Sequence, residues 1–181
     1  TLLLADGVIV LELGRVVQKG SAQAVYNHPV QPYVAKLLGE VNLLRGIVEA
    51  TDPRGEVTVQ TPLGRLVGFA PGGAMSVGQP VSVMIRPEAL VVGANVASWP
   101  NRLTMTIDQL VFEGPVRRLL LSAMDQPPLQ ALALQTLSRG LKRGQQVTVC
   151  VATESIVVAP ASGARVIEPS ASEEDETVGA A

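Results

Sequence analysis

Few side chains in this 181-residue chain could do chemistry. There is one histidine, His28, and one cysteine, Cys150, far apart in sequence. His28 sits in the turn sequence Asn27-His28-Pro29 with no second ligand type nearby, so a turn residue is expected rather than a metal or catalytic site. Cys150 lies inside an apolar run and is expected to be a small buried hydrophobe; it has no partner for a disulfide and suits a reducing compartment. The two do not suggest a nucleophile–base pair. No Gly-x-x-x-x-Gly-Lys-Ser/Thr phosphate loop and no His-Glu-x-x-His motif occurs, and Gly72-Gly73 runs into Ala74-Met75 without a lysine. No catalytic, cofactor-binding or metal-binding residue is therefore expected in this chain. Three candidates for regulation or an interface remain: Arg86, Glu88 and Trp99. An arginine serves a local ion pair, with Glu88 or a carboxylate across the fold, as readily as a subunit or anion contact. Trp99, in the loop from Gly93 to Pro100, reads as a lid over one end of the fold or as an interface anchor.

Arg86 and Glu88 belong to a sentence that is written twice. Gly78-Gln79-Pro80-Val81-Ser82-Val83-Met84-Ile85-Arg86-Pro87-Glu88 recurs as Gly144-Gln145-Gln146-Val147-Thr148-Val149-Cys150-Val151-Ala152-Thr153-Glu154. The offset is 66 residues, too long for a solenoid repeat and right for two copies of a small β-unit. Val81, Val83 and Ile85 share one face at period two, so each copy holds a strand. Arg86 becomes Ala152 in the second copy, so the fold alone does not require an arginine there.

The remaining segments read as frames for these two sentences. Val8 to Leu13 is almost wholly apolar, as a strand buried on both faces would be. Gly14 turns the chain, and Arg15 to Gly20 returns. Ser21 can cap a short helix from Ala22 to Tyr26, and a second helix is predicted from Pro32 to Leu38 with Gly39 at its end. From Leu43 the pattern becomes short strands between Gly/Pro turns: Arg45 to Thr51, Glu56 to Thr61, Arg65 to Phe69, Ala89 to Val92, Arg102 to Phe112, Val116 to Met124 and Leu129 to Leu134. Many Val/Leu-rich strands with internal duplication imply a closed or nearly closed barrel, because closure hides strand edges.

Composition narrows the partners. The chain is 47% hydrophobic, enough for a core, but only 3% aromatic, with 14 basic against 16 acidic residues and no basic block. Nucleic-acid binding is not expected on those grounds, since it needs clustered cations and stacking rings. The apolar opening from Thr1 to Leu13 is interrupted by Asp6-Gly7 and Glu12 and is too short to span a bilayer. No signal peptide is expected, and the chain reads as a fragment whose natural start lies upstream. Beyond Pro160 the Ser-, Ala- and Glu-rich residues are expected to be a disordered acidic tail.

Several of these segments resemble one family in the right order. Ala5-Asp6-Gly7-Val8-Ile9-Val10-Leu11 with Gly14-Arg15-Val16-Val17-Gln18-Lys19-Gly20 resembles the closing hairpin of an ABC transporter ATPase domain, with Gly7 in place of the usual arginine. Val25-Tyr26-Asn27-His28-Pro29, Tyr33-Val34-Ala35 and Leu38-Gly39 are similar to the helices that follow in importers of this class. Asn42-Leu43-Leu44-Arg45-Gly46 and Ile85-Arg86-Pro87-Glu88 resemble the transport-associated OB, or TOBE, domain. The fold so implied is mainly β: a duplicated OB-like barrel (41–160) behind a small α+β remnant of the nucleotide-binding domain (1–40), with a tail (161–181). The resemblance implies the ATP-binding subunit of a bacterial importer of the iron(III), polyamine, sulfate or sugar type. It would pair with a second copy of itself and with membrane permease subunits at the cytoplasmic face, with ATP and Mg bound in the full-length subunit. A rival expectation is a sensing domain for a small anion or solute effector.

Overall fold

The computed structural model describes residues 7–93, 99–123 and 126–161. The acidic tail and Met124 lie outside them. Two units follow one another: a small hairpin with two helices, then a duplicated β-structure.

The first unit comprises β1 (Val8–Glu12), β2 (Arg15–Gly20), α1 (Ala22–Asn27) and α2 (Pro32–Leu38). The hairpin turns at Leu13-Gly14, both with positive φ (50° and 79°). This ends β1 one residue before the predicted Leu13, because two left-handed residues are what a tight hairpin turn needs. Ser21 caps α1 by accepting the Ala24 N–H at 3.2 Å, as predicted. The expectation that β1 is buried on both faces is corrected. Val10 is buried with Val25 and Val34, and Val8 packs partly covered beside it. Ile9 and Leu11 on the other face are 65% and 55% exposed, because among the described residues only the helix side of this two-stranded sheet is covered.

The second unit holds β3 (Asn42–Thr51), β4 (Glu56–Thr61), β5 (Gly64–Phe69), β6 (Pro80–Ile85), β7 (Val91–Val92), β8 (Asn101–Glu113), β9 (Val116–Ser122), β10 (Leu129–Leu134), β11 (Gln146–Val151) and β12 (Ile156–Pro160). The duplication is reproduced in detail. Gly78 and Gly144 take the same left-handed conformation (φ 84° and 78°). Their N–H groups donate to Val48 O and Ile107 O at 2.8 and 2.7 Å. The side chains of Gln79 and Gln145 each accept a backbone N–H three residues back at 3.0 Å. Each repeated strand ends in a 3-10 turn, Pro87–Ala89 and Thr153–Ser155; Arg86 and Ala152 precede these turns at matching dihedrals, φ −68°, ψ 142° and φ −69°, ψ 144°.

The copies do not fold side by side. The last strand of each crosses into the other: β12 closes a barrel in the order β12-β5-β4-β3-β6, and β7 completes the sheet β10-β9-β8-β11-β7. Val157 pairs with Met84 as Val91 pairs with Cys150. One contiguous core spans both halves, with Leu66, Ile85, Leu90, Met105, Ile107, Leu119, Leu121, Leu129 and Ile156 fully buried. Cys150 is buried too. No helix among the described residues is long and apolar enough to cross a membrane.

Candidate functional site

Strand alternation sets Arg86 where it is. Val83 and Ile85 point into the barrel, so Met84 and Arg86 point outward. Met84, with Val157 and Ala159 of β12, forms a small apolar seat for Ala35 of α2. Beside that seat the Arg86 guanidinium spreads over the Tyr26 ring, 4.0 Å from its centroid. Nη1 donates to Ala35 O (3.0 Å) and Glu40 O (2.9 Å), and Nη2 to Tyr26 O (3.4 Å). Ala35 and Tyr26 lie in the last turns of α2 and α1, whose carbonyls have no partner within the helix and carry its negative end. One cation thus caps two helices. No carboxylate among the described residues is within ion-pair distance of Arg86. The expected local ion pair is therefore replaced by carbonyl and ring contacts. Burial lowers the arginine's pKa, opposed by Tyr26 and Glu88, and the group stays charged at neutral pH.

Glu88 completes the arrangement from the following 3-10 turn. Its Oε1 accepts the Tyr26 hydroxyl at 2.5 Å. Burial pushes the Tyr26 phenol above its ordinary pKa of 10.0, helped by this bond. The folded chain holds the phenol proton more tightly than the unfolded one, so the bond's stabilisation is present below about pH 10 and lost as pH rises through the raised value. Tyr26→Phe is expected to cost about 0.5–1 kcal/mol at pH 8. The gap from the parent chain should close in alkali, read by urea denaturation across pH 8–11; a gap constant over that range would refute the assignment.

Tyr26, Asn27 and His28 of the first unit and Arg86, Glu88, Ala89, Glu154 and Ser155 of the second line a cleft of about 450 Å³. The sequence-matched Glu88 and Glu154, one from each copy, both face it. His28 is an exposed turn residue, and its carbonyl accepts from Gln18 at 2.8 Å. Trp99 is half-buried just ahead of β8 and does not line this cleft. Arg86 and Glu88 are thus brought together, and Trp99 stands apart.

The joint between the two units is held at further points. The Glu40 carboxylate pairs with Arg118, which also pairs with Glu113 at 2.7 Å. The Arg118 guanidinium holds Glu113 below the usual carboxylate range, and both glutamates raise the arginine. Two residues on, Asn42 clamps the other half: its amide donates to Gln130 O (2.9 Å) and accepts Gln130 N–H (2.8 Å). Asn101, wholly buried, does the same to Val67 O and N–H at 2.8 and 2.7 Å. Each asparagine opens the first strand of one copy and stands in for a strand along the third strand of the other. The asparagines are 59 residues apart, not 66. Turns of unequal length shift the register, so a fixed repeat offset does not align them. Tyr26 had only its place before Asn27-His28-Pro29 as a signal.

This joined barrel and sheet, with short cross-over strands, define the class. Residues 83–158 match the TOBE domain family, and this part of the chain is a TOBE domain. The chain is homologous beyond that segment to import ATP-binding proteins. It is 31% identical over 135 residues to the spermidine/putrescine import ATP-binding protein PotA of Nitratidesulfovibrio vulgaris, covering 71% of this chain and 35% of that protein. It is 30% identical over 156 residues to the sulfate/thiosulfate import ATP-binding protein CysA of Ralstonia nicotianae, covering 81% of this chain and 39% of that one. The chain thus spans little more than a third of these curated relatives. Among solved structures, the cytoplasmic molybdate-binding protein ModG with molybdate bound superposes with a TM-score of 0.59 at 14% identity, over 66% of this chain and 96% of that one. That likeness is one of fold.

Proposed function

We propose that the chain is the C-terminal part of the ATP-binding subunit of an ABC importer. In this reading residues 1–40 close the nucleotide-binding domain and residues 41–160 are a non-catalytic regulatory domain. That domain supports pairing of two such subunits at the inner face of the membrane, where the permease docks. ATP and Mg belong to the full-length subunit. The observation that carries the reading is the hairpin. Ile9, Leu11, Leu13 and Val16 are 65%, 55%, 99% and 59% exposed, while the helix side of the same hairpin is packed and joined to the barrel. An apolar sheet face left uncovered by the described residues calls for further protein above it, and the import ATP-binding relatives extend well beyond the matched region. In the full-length subunit, deleting residues 41–160 should leave basal ATP hydrolysis intact and weaken subunit pairing, read by sedimentation. Pairing unchanged by the deletion would refute the reading. The chain by itself should not bind ATP; saturable binding at micromolar concentration would also count against it.

The cleft favours a second reading, a solute-sensing domain. Its charge speaks against an oxyanion, since Glu88 and Glu154 line it and Arg86 is committed to carbonyls. Calorimetry with molybdate, sulfate, phosphate and spermidine separates the cases: saturable heat with the polyamine supports sensing, and silence with all four leaves subunit pairing alone.

A further inference from the structure

We infer that Arg86, with Tyr26 and Glu88, is a latch that sets the orientation of the N-terminal unit on the barrel, and that the joint at residues 39–41 is a locked strap rather than a hinge. The inference deepens the regulatory reading, since a regulatory domain needs a stiff connection to what it regulates, but its test does not depend on that reading. Three observations carry it. The apolar seat between the units is small: Ala35 on Met84, Val157 and Ala159, flanked by Val41 and Leu43. A methyl-sized knob with few partners holds weakly. Against it stand three hydrogen bonds from one guanidinium to the ends of both helices and to the strap itself. Charge-assisted bonds of this kind are individually stronger than neutral ones, and a planar fork sends them from two nitrogens while lying flat on a ring, whereas an ammonium must direct all three from one atom. Finally, the strap is gripped on both sides. The Glu40 carbonyl goes to Arg86 in the first copy and its carboxylate to Arg118 in the second.

The duplication supplies an internal control. Ala152 occupies the matching backbone position at the end of β11 with the same dihedrals, so this corner forms without an arginine. The arginine is therefore assigned to the docked helices rather than to the barrel.

Hydrogen exchange read by mass spectrometry on the whole chain tests the latch. In Arg86→Ala, peptides covering α1 and α2 should exchange at least tenfold faster, while those covering β6 and β11 keep the parent rate. Arg86→Lys should restore little, because one ammonium cannot reach three carbonyls around a ring. Glu88→Ala, which changes an exposed side chain and serves if Arg86→Ala fails to fold, should give a smaller acceleration confined to α1. Unchanged exchange in α1 and α2 would show that the apolar seat suffices and would overturn the latch. Equal acceleration across α1, α2, β6 and β11 would also overturn it, by making Arg86 a general stabiliser. Failure of the pairing or calorimetric experiments would leave these exchange rates as they are, so the two readings fail separately.

Discussion

Asn101→Ala should lower the thermal midpoint of the chain by roughly 5–15 °C. The side chain is wholly buried and makes both an accepting and a donating bond to the backbone of Val67. Alanine removes both and leaves an N–H and a C=O without partners on an edge that the amide had filled. Each lost partner costs about 1–3 kcal/mol where water cannot replace it, and a domain of this size loses about 2–4 °C per kcal/mol. Asn101→Asp should be nearly as damaging, because a carboxylate still accepts from Val67 N–H but sets an oxygen against Val67 O. The pseudo-symmetric Asn42→Ala should cost less. Asn42 and its partner Gln130 line a small cleft of about 160 Å³, where water can take over part of the bonding. Scanning calorimetry of the three variants checks the ranking. A shift under about 2 °C for Asn101→Ala would mean that the inter-copy clamp is not structural.

Gly68→Ala is expected to be worse still. A Cβ there would stand 2.5 Å from Ile156 Cγ2 and 2.6 Å from Ile156 O. Ile156 is fully buried at the start of β12, where β5 and β12 pair in parallel at Phe69 and Val157 to close the barrel. A backbone oxygen cannot rotate aside, so the seam that closes the barrel must open. Overpacking costs about 1–3 kcal/mol when side chains can adjust; here it should exceed that and show as loss of the cooperative transition or as aggregation. Gly72→Ala is the matched control, with no atom within 4 Å of the added methyl and no left-handed φ. It should be neutral, or stabilising by about 0.4–1 kcal/mol. Denaturant titration of both variants decides; comparable midpoints would show that the seam yields easily.

Much of this architecture was legible beforehand. Val81, Val83 and Ile85 at period two, and the same pattern at Val147, Val149 and Val151, placed both central strands and their inward faces. The glycines of the repeated Gly-Gln, 78 and 144, are both left-handed and stand just ahead of the two repeated strands. β3 begins at Asn42 rather than Arg45, because Asn42, Leu43 and Leu44 pair with Ile85, Met84 and Val83 of β6 while the Asn42 side chain is engaged by the other copy. The predicted strand from Ala89 to Val92 shrinks to Val91–Val92, since Ala89 is taken up by the 3-10 turn that Pro87 starts.

By itself the sequence determined what local chemistry can specify: which residues alternate, where glycine and proline break the chain, that a unit is written twice, and that the copies differ at Arg86. Those properties depend on residues within a few positions of one another. Tertiary structure alone decided that the copies exchange their last strands, that Asn42 and Asn101 each clamp the other half, and that Arg86 caps two helices instead of pairing with a carboxylate. In each of these cases the partners are 34 to 88 residues apart and include backbone carbonyls and N–H groups, which are the same at every non-proline position. A backbone carbonyl leaves no mark in the sequence, so only folding can show which one an arginine or an asparagine will meet.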